Sequence, residues 1–469
     1  MTLILLFVLM LVNFLVYFRT LSYDLVIDDS CRKFHVNDIP KNWFHRFYRI
    51  THYSGYGGFP IPVDHLITLL LHTLVCITIY LVFGKNELSF ITALLFSINP
   101  VNNQVSIWLN GKRYAIVAIL ILLAWAFKPY GIVFYLISPI WHYGGTPAAL
   151  LYLFSPHKWI LLLLLIPLII SYKTVIDKIG TRWERIPYGE IKRIRPKKLV
   201  ILVKMFGYIF LHSLLPRKMA FYHMFMERFG FSKKDNDHCY SFNKDFWLGL
   251  PCILIVPVLI KLNWNNPLGF GLFWWVIFVF PWLQFPIGLT QAIAERTYYL
   301  PNIGLMYSLS WVLLKAPYGS YLITALFVYY LTKLWFYMPA YKDLEEFYRY
   351  SLFQFPDHFR ARAHTAQRRL QEGRIFWALK ETGEGLHLNP TDCTLNLLMA
   401  QCLMTVGMYQ EASKYLKRAK QNSILGHEKY ILKTINNLQG IIDNQLRGKT
   451  SQKIQPNEVV KVTPCETEE

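Results

Sequence analysis

The chain opens on an apolar run, TLILLFVLMLVNFLVYF at 2–18, and runs of this kind recur as far as residue 338. Twelve can be marked, at 2–18, 64–83, 88–107, 114–127, 130–141, 147–155, 158–172, 199–215, 246–262, 269–289, 303–314 and 319–338. The longer ones hold roughly 17–21 residues, enough for a helix to cross a hydrocarbon core of about 30 Å. They lack the period-two alternation of a transmembrane barrel. The pattern predicts an all-α, polytopic membrane bundle, with about eleven of the segments spanning. Pro100, Pro129, Pro147, Pro281 and Pro286 interrupt several runs. They read either as ordinary kinks or as irregular backbone lining a wet cavity. The first run has no basic leader and no small-residue cleavage site, so it reads as a retained anchor helix.

Three polar stretches separate the apolar runs: 19–63, 173–198 and 216–245. The second carries nine Lys and Arg against three acids. Past Pro339 the pattern becomes that of soluble helices, and it repeats. Gly373 and Gly407 lie 34 residues apart, as do Ala378 and Ala412, and Asn389-Pro390 closes the first unit. A 34-residue period with small residues at the helix crossings and Gly in the turn is the tetratricopeptide signature. Two such units are marginal alone, so the array is expected to extend into flanking helices at 341–355 and 425–445. The predicted organisation is a membrane domain at 1–338, a small α-solenoid of repeats at 339–445, and a charged, aromatic-free tail at 446–469 read as disordered.

Hydrophobic residues make up 54% and aromatics 16% of the 469 residues, above the balance of an ordinary globular chain. The formal charge of +20 fits anionic headgroups and positively charged cytoplasmic loops, making membrane lipids the expected partner. No separate basic module stands ready for nucleic acid, which is excluded as a partner. The seven cysteines are scattered and form neither a metal pattern nor a disulfide framework. No N-x-S/T sequon occurs, which leans toward a bacterial inner membrane.

Candidate chemistry begins with Asp28 and Asp29, adjacent acids just beyond the first run. A carboxylate there can take a proton from an acceptor hydroxyl or help hold a divalent cation such as Mg or Mn; the plain alternative is a solvated loop pair. His52, His65, His72 and His142 are not spaced as metal ligands, and His65 and His72 share a helix face that bonds neighbouring helices. Trp43, Phe44, Tyr53 and Tyr56 read as sugar-stacking residues or as an interfacial aromatic belt.

Four blocks, in order, resemble one family. They are Asp28-Asp29; Phe59-Pro60 followed by His65 and His72; Asn99-Pro100-Val101 with Trp108, Gly111 and Arg113; and Ala294-Glu295-Arg296 with Tyr299-Leu300-Pro301 and Gly304. Over about 1–445 the chain resembles integral-membrane glycosyltransferases of the GT-C superfamily that carry C-terminal tetratricopeptide repeats, the transmembrane O-mannosyltransferases and bacterial relatives. It departs from them at Phe59, Asn99, Asn102 and Tyr114. The resemblance implies an inverting hexosyltransferase that uses a polyprenyl-phosphate sugar, with a protein or glycan acceptor. It assigns Asp28 or Asp29 as general base, and Arg296, oriented by or paired with Glu295, as a cation for the departing lipid phosphate. Arg113 belongs to the same phosphate set by its block.

Lys192, Arg193 and Arg195 precede an apolar run at headgroup height and are further candidates for the lipid phosphate. Counting every segment as a crossing puts 173–198 on the same side as the acid pair, against the positive-inside rule. Either 130–141 or 147–155 then fails to span, or the basic stretch faces outward. The active site is expected at the periplasm or cell exterior. The alternative to an enzyme is a catalytically degenerate scaffold whose repeats recruit a partner to the membrane.

Overall fold

The computed structural model describes residues 1–26, 60–138, 143–156, 197–219, 222–223, 242–283, 293–356, 358–422 and 428–447. Among them the chain is helical apart from one two-residue antiparallel bridge, Tyr222–His223 against Ile293–Ala294. The helices are α1 Thr2–Tyr17, α2 Ile61–Val82, α3 Glu87–Ile98, α4 Asn103–Ile107, α5 Lys112–Ala126, α6 Ile132–Ile137, α7 Lys197–Leu214, α8 Lys244–Leu262, α9 Pro267–Val279, α10 Tyr299–Lys315 and α11 Gly319–Tyr337. There follow α12 Leu344–Gln354, α13 Phe359–Gln371, α14 Ile375–Leu388, α15 Cys393–Thr405, α16 Tyr409–Asn422 and α17 Glu428–Leu446. Among the described residues, five helical stretches are long and apolar enough to cross a membrane: Thr2–Ser22, Ile61–Val82, Leu109–Ala126, Lys244–Leu262 and Gly319–Tyr341.

Their outer faces require lipid. Leu3, Ile4, Phe7 and Phe14 of α1, Leu70 and Leu74 of α2, and Leu254, Ile255 and Val258 of α8 are all exposed, an apolar surface too continuous for water. Exposed aromatics mark two levels. On α11, Tyr321 lies near one end and Trp335 near the other, about 21 Å apart along the helix axis. The protein is a membrane-embedded helical chain.

The apolar runs break where local chemistry requires it. The run at 88–107 is not one helix: Asn99 is extended before Pro100, and its side chain accepts from Val101 N, capping a short 3-10 turn that leads into α4. By contrast α10 begins four residues before the predicted 303, because Pro301 falls in the first turn, where no intrahelical N–H is needed. Among the described residues the run at 130–141 contains the six-residue α6, and 147–155 lies mostly within a 3-10 run, Tyr143–Phe154. The run at 158–172 lies outside the described residues. Helices α9 and α10 cross at glycine: a Cβ on Gly304 would stand 2.4 Å from Gly271 O and 2.5 Å from Trp274 Cβ.

Side-chain contacts set the direction of each helix. Tyr17 at the end of α1 donates to Ser97 O at the end of α3, and Arg19 donates to Trp335 O near the end of α11. His212 near the end of α7 meets Tyr298 before α10, and Tyr330 of α11 donates to Leu214 O. The bundle thus has a Tyr17 end and a Met1 end. The starts of α2 and α5, the ends of α3, α7 and α11, and the start of α10 gather at the Tyr17 end. Asp24 N donates to Lys342 O at 2.8 Å, so the stretch leading toward Asp28 and the chain leaving α11 depart side by side.

Beyond α11, α12 packs its Phe347 into the membrane-domain core, whereas α13–α17 enclose apolar clusters of their own. The pairs α13–α14 and α15–α16 repeat with a 34-residue register. Ala366 and Ala400, Leu370 and Met404, and Ala378 and Ala412 are buried at matching places. Each pair turns through glycine at positive φ, Gly373 at +74° and Gly407 at +83°. Gly373 N donates to Leu370 O and Arg374 N to Arg369 O; Gly407 N donates to Met404 O and Met408 N to Leu403 O. That is the same Schellman closure twice.

Candidate active site

The first turn of α2 carries Asp64, placed there by Pro60 and Pro62, which begin the helix. Gly111 lets the chain turn tightly into α5, whose first residue, Lys112, reaches Asp64 Oδ1 at 2.8 Å. Neither side chain is exposed. A pair so far from water holds because each charge compensates the other's lost hydration. His65 lies within electrostatic reach of Lys112, Asp24 and the backbone of Ile107 and Tyr23. Two turns deeper, about 12 Å along α2 from Asp64, His72 Nε2 donates to Ser97 O at 3.1 Å and Nδ1 meets the Tyr299 hydroxyl at 2.8 Å. His72 therefore bonds neighbouring helices, in line with the reading of its helix face.

Asn99 and Asn102, two of the departures noted in the sequence, have structural work. Asn99 Nδ2 donates to Ser213 O at 3.0 Å, tying the α3–α4 break to α7. Asn102 Nδ2 donates to Phe96 O at 2.7 Å, and its Oδ1 accepts from Asn302 of α10 at 3.1 Å. Both are fully buried, where an unpaired amide would be costly.

Glu295 and Arg296 open the 3-10 turn before α10. Glu295 is buried; its Oε2 accepts from the Tyr337 hydroxyl at 3.1 Å, and His212 Nε2 lies 3.7 Å from Oε1. Tyr337 also bonds Tyr341 at 3.0 Å. Burial, and after it the nearby Glu295 carboxylate, pushes the Tyr350 hydroxyl of α12 up to about 12. Glu295 thereby joins α7 and α11, a wider role than partner to Arg296 alone. Arg296 N donates to Gln104 Oε1, and its guanidinium stands 5.4 Å from the Trp108 ring. Arg113, half-buried beside the Asp64–Lys112 pair, lies 5.6 Å from the Tyr114 ring. Its Nε has no hydrogen-bond partner among the described residues.

The predicted residues therefore divide. Arg113, Glu295 and Arg296 gather at the Tyr17 end. Asp28 and Asp29, with Trp43, Phe44, Tyr53 and Tyr56, lie outside the described residues, as do Lys192, Arg193 and Arg195. The helix those three precede meets Glu295 with its last turn, and Lys197, its first residue, is about 22 Å of helix away from His212. Nothing among the described residues brings that stretch to Arg296. No group of three or more His, Cys, Asp or Glu side chains is placed to hold a metal among the described residues.

Sequence reasoning missed Asp64, Lys112, His212 and Tyr337. For Asp64 and Lys112 a signal existed: each is an ionisable residue at the edge of a span, where a buried charge marks a site or a pair. No family model matches the chain, and neither a curated protein nor a solved structure matches it.

Proposed function

We propose that the chain is a membrane glycosyltransferase of the GT-C kind. It moves one sugar from a polyprenyl-phosphate donor to a protein or glycan hydroxyl, and its C-terminal hairpins act as tetratricopeptide repeats that hold the acceptor or a partner. One observation carries the reading: the family-like blocks converge. Asp64 meets Lys112, Asn102 meets Asn302 and Gln104 meets Arg296 at the end from which the acid-bearing loop departs, and His72 meets Tyr299 two turns deeper.

The chemistry follows from the charges. A carboxylate of Asp28 or Asp29 takes the proton of the acceptor hydroxyl as its oxygen attacks the anomeric carbon. The bond from that carbon to the phosphate oxygen breaks, and the lipid phosphate leaves as an anion. Arg296 and Arg113 supply fixed positive charge for it, worth most where water is excluded. A divalent cation on Asp28 and Asp29 would add further positive charge for the same anion.

The reading also orients the chain: it makes the Met1 end, with Lys85, Lys128, Lys261 and Lys315, cytoplasmic. The Tyr17 end and the repeats then face the periplasm or exterior, where polyprenyl donors are used. The parity conflict in the sequence dissolves if 130–172 begins and ends at the cytoplasmic face.

The test is glycan mass spectrometry of cells carrying wild-type, Asp28→Asn, Asp29→Asn or no gene. Loss of one glycan in the single variants, with membrane levels unchanged, is expected. Wild-type glycans in both variants and in the double would move the weight to the scaffold reading. That second reading is favoured by the structural employment of Asn99, Asn102 and His72.

A further inference from the structure

Between α13 and α14 lies an open cleft of about 370 Å³, lined by Thr365, Arg369, Arg374, Trp377 and Glu381. We propose that this cleft is a saccharide-binding subsite that holds a sugar ring of a glycan acceptor. The acceptor role rests on the glycosyltransferase reading; the binding of sugar does not.

The repeat offers a contrast: at the equivalent places of the second hairpin Met399 and Leu403 are buried and Tyr415 packs on the same apolar cluster, whereas Thr365, Arg369 and Glu381 of the first hairpin line an open cleft. Trp377 is 52% exposed, and Phe376 beside it is 74% exposed. An indole face left half in water, with planar polar side chains around it, is a surface for a ligand with one apolar face and polar edges.

A pyranose has that form. Its C–H face lies on an aromatic ring, while its hydroxyls both donate and accept. Arg369 and Arg374 donate, Glu381 accepts, and Thr365 does either. The charges favour a neutral polyol over an acidic peptide. Glu372 already draws Arg369 at 3.1 Å and Arg374 at 3.6 Å, and Glu381 stands in the cleft, held by Arg362 at 2.7 Å. With these arginines already paired, little free positive charge is left to draw a run of acids. The cleft also adjoins the Tyr17 end, since Arg368 bridges Glu372 to Glu345 at the start of α12, next to the Lys342–Asp24 contact.

Saturation-transfer NMR on the full chain, in a detergent without a sugar headgroup, tests this with mannotriose, cellotriose and hexaglutamate as probes. Transfer to a trisaccharide is expected, with Trp377→Ala weakening binding by about tenfold, the worth of one aromatic stack. Arg374→Ala should weaken it as well, while Phe353→Ala, exposed on α12, leaves it unchanged. No transfer to either trisaccharide, equal transfer in Trp377→Ala, or transfer to hexaglutamate alone overturns the proposal. Binding is read with no donor present and no turnover, so a failure of sugar binding is distinguishable from a failure of catalysis.

Discussion

Lys112 and Asp64 come from segments 48 residues apart, yet they form a contact with no access to water. Removing one partner leaves the other charged in a medium that cannot solvate it. Asp64→Asn is therefore expected to destabilise the folded chain by about 3–5 kcal/mol, whereas Asp64→Asn with Lys112→Met should recover most of that loss. Thermal unfolding of the detergent-solubilised protein measures both; additive losses would show that the pair is not coupled. Arg296 is a different case, because it stands over Trp108 at the half-buried edge of the site. If it faces the lipid phosphate, Arg296→Ala should lower donor use by roughly ten- to a hundredfold, the worth of about 1.5–3 kcal/mol for a charge-assisted bond. Arg296→Lys should lower it less, since it keeps the charge but loses the fork and the flat stack. Small and equal effects on transfer would leave Arg296 with a purely structural part.

At the scale of elements, the hairpin turns α13–α14 and α15–α16 are held by backbone conformation alone. A Cβ on Gly373 or Gly407 would meet nothing within 4 Å, so any cost of alanine there comes from the positive φ. Gly373→Ala and Gly407→Ala should each cost about 1–2 kcal/mol, and Gly373→Asn less, because asparagine tolerates the left-handed region. Gly385 is the contrast: its Cβ would stand 2.8 Å from Leu395 Cδ2, so alanine there is opposed by packing between hairpins. Chemical unfolding of the variants separates the two mechanisms. A loss at Gly385 without loss at the two turns would mean that the turns are not set by the Schellman closure.

For the whole molecule, the Asp24–Lys342 bond puts the departure of the acid-bearing stretch and the start of the C-terminal helices at one end of the bundle. An array that raises the local concentration of an acceptor helps only when it shares a compartment with the catalytic group. Single cysteines in a Cys-free background test the arrangement. In intact cells an impermeant reagent should label Lys414→Cys on α16 and leave Lys315→Cys, at the end of α10, unlabelled until the membrane is opened. Labelling of Lys315→Cys alone would invert the orientation and remove the repeats from the side proposed for transfer.

The sequence by itself determined that the chain is helical and embedded in a membrane, and that a stretch past Pro339 repeats with a 34-residue period. Burial against lipid, or against a neighbouring hairpin, imposes a length or a period on consecutive residues, and that stays visible in one dimension. The turn glycines Gly373 and Gly407 were legible for the same reason, each answering a local constraint. What the chain could not display was pairing. Asp64 and Lys112 look like two helix starts, and Glu295 looks like the neighbour of Arg296. Only the packed bundle turns Glu295 toward Tyr337 and His212 and closes Lys112 onto Asp64. Tertiary structure also decided direction: α7 meets Glu295 with its last turn. A run of apolar residues records that it crosses, but its composition is the same whichever way it runs.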